Sequence, residues 1–367
     1  MPSPIYVTRP YLPPLEEFLP MLREIWDSRN LTNNGPFHTR LEAELGAYLG
    51  VSHVSLVTNG MLALTAALDA ADIDGEVITT PYSFVATTHA VRLGRLEPVF
   101  VDIRPSDLNI DPDRIEAAIT PRTRAIVAVH VYGNPCDVDA IEAIAARHGL
   151  TVIYDAAHAF GVRYRGQGLL RHGDYSTLSF HATKAFNTFE GGAVVSADAD
   201  RKAKVDSLRN FGIADEVTIP GVGTNAKMSE FNAALGLLQL THFEHVRRER
   251  ARVDTLYRRL LADVAGVDCL AIPADVEPNH SYFPILVRPE FRLGRDSLYD
   301  ALKTEGIFSR RYFYPLLSSL PLYAGQPSAA ADNLPVATEA ANQILCLPIY
   351  PDLSDSDVGR IVATIKG

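Results

Sequence analysis

Lys184 closes the segment Ser179-Phe180-His181-Ala182-Thr183-Lys184 and is soon followed by Glu190-Gly191-Gly192-Ala193. A lysine amine forms a Schiff base only when neutral, and burial beside a cationic group lowers its pKa. The glycines behind it let backbone approach closely. A lysine alone is most often a solvated surface residue, so its neighbours decide the reading. Asp155 ends the apolar run Thr151-Val152-Ile153-Tyr154-Asp155, which sets a carboxylate at a buried strand's edge. There it either caps the next helix or needs a cationic partner. His158, just behind it, could pack over a ring or hydrogen-bond an oxygen. Asn59-Gly60-Met61 opens a helical stretch, and a helix N-terminus offers N–H groups and a positive dipole end to an anion. Ser179 adds a hydroxyl, and Phe84 a ring face. A reactive amine, a carboxylate for a ring nitrogen, a stacking group and a phosphate cup are the parts that pyridoxal 5′-phosphate (PLP) chemistry requires. In such a set the carboxylate keeps the ring cationic, and the cationic ring stabilises a carbanion at the substrate carbon.

These residues need elements to hold them. Between residues 54 and 195, short β-branched runs alternate with helix-like stretches: Val54 to Val57, Val77-Ile78, Val99 to Val101, Ala125 to Val131, Thr151 to Tyr154, Thr177 to Phe180 and Ala193 to Val195. Amphipathic segments lie between them, such as Met61 to Ala71 and Val138 to His148, the second stopped by Gly149. That alternation predicts an α/β fold on a mainly parallel sheet, with function at strand C-termini. Asn59-Gly60, Asp155 and Lys184 each follow a strand, as the rule demands. From Met228 to about Leu261 the pattern is one long helix, with Arg247 to Arg252 on its wet face. A strand at Tyr282 to Val287 and a helix at Asp296 to Glu305 then predict a smaller α+β lobe. The expected division is a large α/β domain over residues 1–240 and a small C-terminal domain over 241–367. Gly325 to Asn333 reads as a surface loop.

Composition narrows the classes further. A chain of 367 residues, 47% hydrophobic, can fill two cores. Lys and Arg number 34 against 44 Asp and Glu, a net charge of −10, which argues against a nucleic-acid partner. Cys136, Cys269 and Cys346 are scattered without CxxC pairing, so neither a disulfide framework nor a metal site is expected, and the chain reads as reduced and cytoplasmic. Neither a secretory leader nor an apolar span of roughly twenty residues is visible, so no membrane role is expected.

Six segments carry a resemblance: Leu31-Thr32-Asn33-Asn34-Gly35-Pro36, Asn59 to Leu64, Pro81-Tyr82-Ser83-Phe84-Val85-Ala86-Thr87, Asp155-Ala156-Ala157-His158-Ala159, Ser179 to Lys184, and Gly223-Thr224-Asn225-Ala226-Lys227-Met228. In this order they resemble the sugar-nucleotide aminotransferases of the DegT/DnrJ/StrS family, fold-type I PLP enzymes, from about Tyr6 to Pro351. The resemblance implies that Lys184 is the Schiff-base lysine and that Asp155 pairs with the pyridine nitrogen. It places His158 near the ring oxygen, where many members carry Gln. Gly60, Met61 and Ser179 would hold the phosphate, and Asn225 would reach the cofactor of a neighbouring subunit, which implies a homodimer with shared active sites.

Three departures bear on substrate choice. Met61 stands where many members have Thr, and Lys227 replaces a common Arg, exchanging a fork for a point charge. The stretch Arg310 to Leu316 lacks the His of a His-Tyr-Pro motif, which directs attention to Arg311 and Tyr314 as substrate contacts, along with Lys227. The opening Pro10 to Phe18, Leu31 to Phe37 and Tyr312 to Pro315 look like members that make dTDP-4-amino-4,6-dideoxyglucose. The resemblance implies ping-pong transfer from L-glutamate, releasing 2-oxoglutarate, to a nucleotide-linked keto sugar. Amination at C3 and a GDP- or UDP-linked acceptor stay open. PLP-dependent sugar dehydratases are a further alternative, but carry His where Lys184 stands. A silent ligand-binding regulator would not need both Lys184 and Asp155.

Overall fold

The computed structural model describes residues 3–367. Its large lobe is built on a seven-stranded sheet, in spatial order Val54–Val57, Gly192–Ser196, Tyr175–Ser179, Thr151–Asp155, Thr123–Val129, Glu76–Thr79 and Glu97–Phe100. Gly192–Ser196 runs antiparallel to both its neighbours, and every other pairing is parallel. The central strands are apolar because helices cover both faces: Ile126, Ala128 and Val152 face one core, and Ala125, Val127 and Ile153 the other. The strand runs read from sequence appear to within about two residues.

Local signals set the helix ends. Asp137 caps the helix Val138–His148 by accepting from Ala140 N, and Gly149 closes it in the left-handed region at φ 63°. Asn59, in extended backbone, caps Gly60–Ala71 through Leu62 N. Such caps fix where each helix begins relative to the strand before it, and hence where its first amides point.

The helix Glu230–Leu261 joins the lobes. Its first half packs Ala233, Leu237 and Phe243 into the large core, and its second half places Val253, Tyr257 and Leu261 in the small one. Residue 240 lies inside this helix. The small lobe's antiparallel sheet, Val267–Cys269, Phe283–Val287 and Ile344–Leu347, packs with the helices Arg295–Thr304 and Asp355–Lys366 around Leu298 and Ile361.

One residue of the joining helix departs from the sequence reading. Arg250, expected on the wet face, is 2% exposed. Its Nη1 donates to the carbonyls of His280, Ser281 and Ile349 at 3.2, 3.3 and 3.2 Å. A guanidinium is buried only where acceptors await it, and those acceptors come from distant segments. The N-terminal strand Ile5–Tyr6 pairs in parallel with Ile307–Phe308, setting Tyr6 opposite Phe308. Gly325 to Asn333 carries two short 3₁₀ turns, Pro327–Ala329 and Ala331–Asn333. No described helix is long and apolar enough to cross a membrane.

Candidate active site

A chamber of about 520 Å³ opens at the C-terminal ends of the central strands. Gly60, Met61, Phe84, Asp155, His158, Ser179 and Lys184 all line it, joined by Ser83, Tyr282, Tyr312 and Phe313. The topology explains the convergence, because Thr151–Asp155 lies beside Tyr175–Ser179 in the sheet.

Asp155 is 6% exposed. Its Oδ2 accepts from Thr87 Oγ1 at 2.7 Å and its Oδ1 from Ala157 N at 3.2 Å. Thr87 Oγ1 also lies 2.8 Å from Ser83 Oγ. Since Thr87 spends its proton on the carboxylate, Ser83 donates to Thr87, forming a short relay. Burial raises the Asp155 pKa, opposed by the Thr87 and Ala157 bonds and by the charge of Lys184. A carboxylate held this way is completed by a cation in the chamber.

Lys184 is part-buried, and burial lowers its amine to about 8, against the opposing pull of Asp155 and Tyr312. Its Nζ donates to Tyr282 Oη at 3.4 Å. Burial pushes the Tyr282 phenol up, so it stays protonated and serves as a neutral hydrogen-bonding partner. His158 is buried and held neutral, first by burial and then by the Lys184 charge. Its Nδ1 accepts from Tyr132 N at 3.3 Å, which leaves the proton on Nε2 as a donor. The His158 ring lies nearly parallel to Phe313, with centroids 5.8 Å apart, and edge-on to Tyr282 at 4.8 Å.

The anion cup follows from the cap. Of the helix's first N–H groups, Leu62's goes to Asn59 Oδ1 and Ala63's to Asn59 O. The amides of Gly60 and Met61 are left without partners, as the start of a helix requires. Ser179 closes the cup: a Cβ on Gly60 would sit 2.7 Å from Ser179 Cβ, so only glycine lets the helix start this close. Phe84, 57% exposed, keeps a ring face open at the chamber wall. Two unpartnered amides, a hydroxyl, a buried carboxylate and a neutralisable amine fit a phosphorylated pyridine aldehyde.

Four sequence candidates lie outside this lining. Asn225 is exposed and accepts from Lys227 Nζ at 2.7 Å, and Lys227 lies 4.7 Å over the Phe211 ring. Arg311 pairs with Asp296 at 2.6 Å and lies over Tyr299. Tyr314 is exposed beneath Arg295. Sequence reasoning did not single out Thr87, Ser83 or Tyr282. Thr87 and Ser83 stood in a quoted motif, but nothing local shows that they meet Asp155. Tyr282 comes from the other lobe, and no spacing pointed to it.

Comparison with known proteins adds an independent line. The DegT/DnrJ/EryC1/StrS aminotransferase family model matches residues 15–366. A dTDP-4-amino-4,6-dideoxy-D-glucose transaminase of Shigella dysenteriae is 52% identical over 366 residues, covering 100% of this chain and 99% of the relative. The Escherichia coli protein of the same name is 50% identical, covering 99% and 98%. Among solved structures, DesI in the presence of its TDP-sugar product superposes with a TM-score of 0.95 at 39% identity, covering 100% of this chain and 93% of that one.

Proposed function

The chain belongs to the DegT/DnrJ/EryC1/StrS aminotransferase family, and from that membership we propose that it transfers an amino group from L-glutamate to a nucleotide-linked keto sugar. The proposed acceptor is dTDP-4-keto-6-deoxy-D-glucose, the product dTDP-4-amino-4,6-dideoxy-D-glucose, and the cofactor PLP. The relatives' names support this substrate. The observation that carries the chemistry is Lys184 and Asp155 facing one chamber beside the two unpartnered amides of Gly60 and Met61.

Bound PLP supplies the electron sink for a carbanion at the substrate carbon. Asp155 would hold the positive charge of the ring nitrogen, and the Thr87 hydrogen bond favours the ionised carboxylate and orients it. Gly60, Met61 and Ser179 would hold the phosphate. His158 would offer its Nε2–H to the ring oxygen, and Phe84 would cover the ring. Lys184 Nζ would take and return the proton at the substrate carbon, with Tyr282 Oη, 3.4 Å away, to steady it.

The working unit is proposed to be a cytoplasmic homodimer in which Asn225 reaches the partner's phosphate cup. Asn225's exposure and absence from its own chamber support that role. The test is incubation with glutamate and a panel of dTDP-, UDP- and GDP-linked keto sugars, with the aminated carbon assigned by NMR. Amination at C4 of the dTDP sugar is expected. No amine on any panel member would overturn the reading.

A further inference from the structure

The buried guanidinium of Arg250 has carbonyl acceptors but, among the described residues, no carboxylate, and its Nε has no partner. Burial lowers its pKa to about 10, opposed only by Tyr282. An apolar group of like volume often serves as well as a buried charge, so packing alone does not account for this one. What Arg250 holds is a strap. Its Nη1 donates to the carbonyls of His280 and Ser281, the residues directly before Tyr282, and to that of Ile349 in the small lobe. The strap's other fastening is on the large lobe. Asn279 Nδ2 donates to the His158 and Phe160 carbonyls at 2.8 and 2.9 Å, and Ser281 Oγ to the His158 carbonyl at 3.2 Å. Between the fastenings, His280 takes a left-handed φ of 50°, which a residue other than glycine keeps only where its surroundings hold it. Tyr282 follows at once, with its Oη 3.4 Å and its ring centre 5.9 Å from Lys184 Nζ.

We infer that Arg250 is a positioning residue for the reaction: from outside the chamber it sets Tyr282 over the Lys184 amine and so keeps that amine out of water. The inference rests on the cofactor reading above, in which Lys184 is the reacting amine. Charge-assisted bonds to the backbone just before Tyr282 fix where its ring leaves the chain. Tyr282 is part of the cover over an amine whose pKa is lowered chiefly by burial. The charge of Arg250 also reaches Tyr282, where it counters the effect of burial on the phenol. Asp155, His158 and Tyr312 face the same amine, with His181 and Glu190 elsewhere on the chamber wall, and none of these side chains bonds to Arg250.

The test follows the rate of PLP uptake by apoprotein against pH, read by visible absorbance and independent of turnover. Arg250→Lys keeps the charge, but a shorter point donor cannot span the carbonyls of His280, Ser281 and Ile349. Its uptake midpoint should rise from about 8 toward the ordinary lysine value of 10.5, by roughly one unit, as water reaches the amine. Tyr282→Ala should raise the midpoint likewise, and Arg250→Lys made in that background should add nothing. Where Arg250→Lys fails to fold, Arg250→Gln, neutral but still a donor, enters the same cycle and should give the same rise. An arginine that only stabilises the fold would lower the melting temperature and leave the midpoint in place. An unchanged midpoint in the folded variant would overturn the inference, and so would a rise of equal size with and without the Tyr282 side chain. Unaltered apoprotein that takes up no PLP at any pH would overturn the cofactor reading itself, which an unchanged midpoint in the variant leaves standing.

Discussion

Two opposing effects meet at the Lys184 amine: burial lowers its pKa, while the Asp155 carboxylate raises it, and burial wins at about 8. The neutral amine is the form that reacts with PLP, so it becomes abundant above about pH 8 rather than near the usual lysine range. The rate at which apoprotein takes up PLP, followed by visible absorbance, should therefore rise with pH and level off above about 8. A rise continuing through pH 10 would show an unperturbed amine. Asp155→Asn removes the opposing charge, so its midpoint should move lower still. Thr87 acts on the other partner: its hydrogen bond lowers an Asp155 pKa that burial has raised. Thr87→Val keeps the volume and deletes that donor, making the carboxylate harder to ionise. A hydrogen bond to a charged group contributes about 1.5–3 kcal/mol, so cofactor retention on dialysis should weaken roughly tenfold or more. Retention equal to that of the unaltered protein would remove Thr87 from the site.

The start of the helix Gly60–Ala71 depends on what is missing from Gly60. Alanine there would add a Cβ 2.7 Å from Ser179 Cβ and 3.0 Å from its Oγ. Helix propensity favours Ala by up to about 1 kcal/mol, but forcing the helix off its strand costs about 1–3 kcal/mol. Gly60→Ala should therefore lower both stability and PLP affinity, with PLP affinity hit harder because the two unpartnered amides move with the helix. Parallel denaturant melts of the apo and PLP-loaded forms would check this, and a variant that binds PLP as tightly as before would refute it. At this scale the sequence was highly legible. The helix opening at Asn59-Gly60 and the stop at Gly149 are local signals, and the strands between the helices appear where the sequence pattern puts them, whereas the Asp137 cap came only from the structure. Arg250 was misread because its acceptors, the carbonyls of His280, Ser281 and Ile349, are supplied by chain far from the helix. The same distance concealed the Thr87–Asp155 contact and the place of Tyr282 beside Lys184.

The single chain leaves an apolar surface uncovered. Phe211, Val217, Ile219 and Val222 are 50–94% exposed in the segment leading to Asn225, and Trp26 is 77% exposed. The proposed homodimer gives these side chains a cover, and a two-fold axis would repeat it on both copies. If Asn225 completes the partner's site, Lys184→Ala and Asn225→Asp should each be poorly active alone, the second because a carboxylate would face the phosphate. Co-refolded, they should recover activity: random pairing leaves about a quarter of all sites free of both lesions. A mixture no more active than its parents would argue against shared sites.

The pairing of Ile5–Tyr6 with Ile307–Phe308 also constrains how the protein is made. A chain leaves the ribosome N-terminus first, and its early segments fold as their partners emerge. Here the earliest strand must wait for a segment synthesised near the end, and the edge strand Val54–Val57 must wait for Gly192–Ser196. Until then both expose unpaired backbone that another nascent chain could capture.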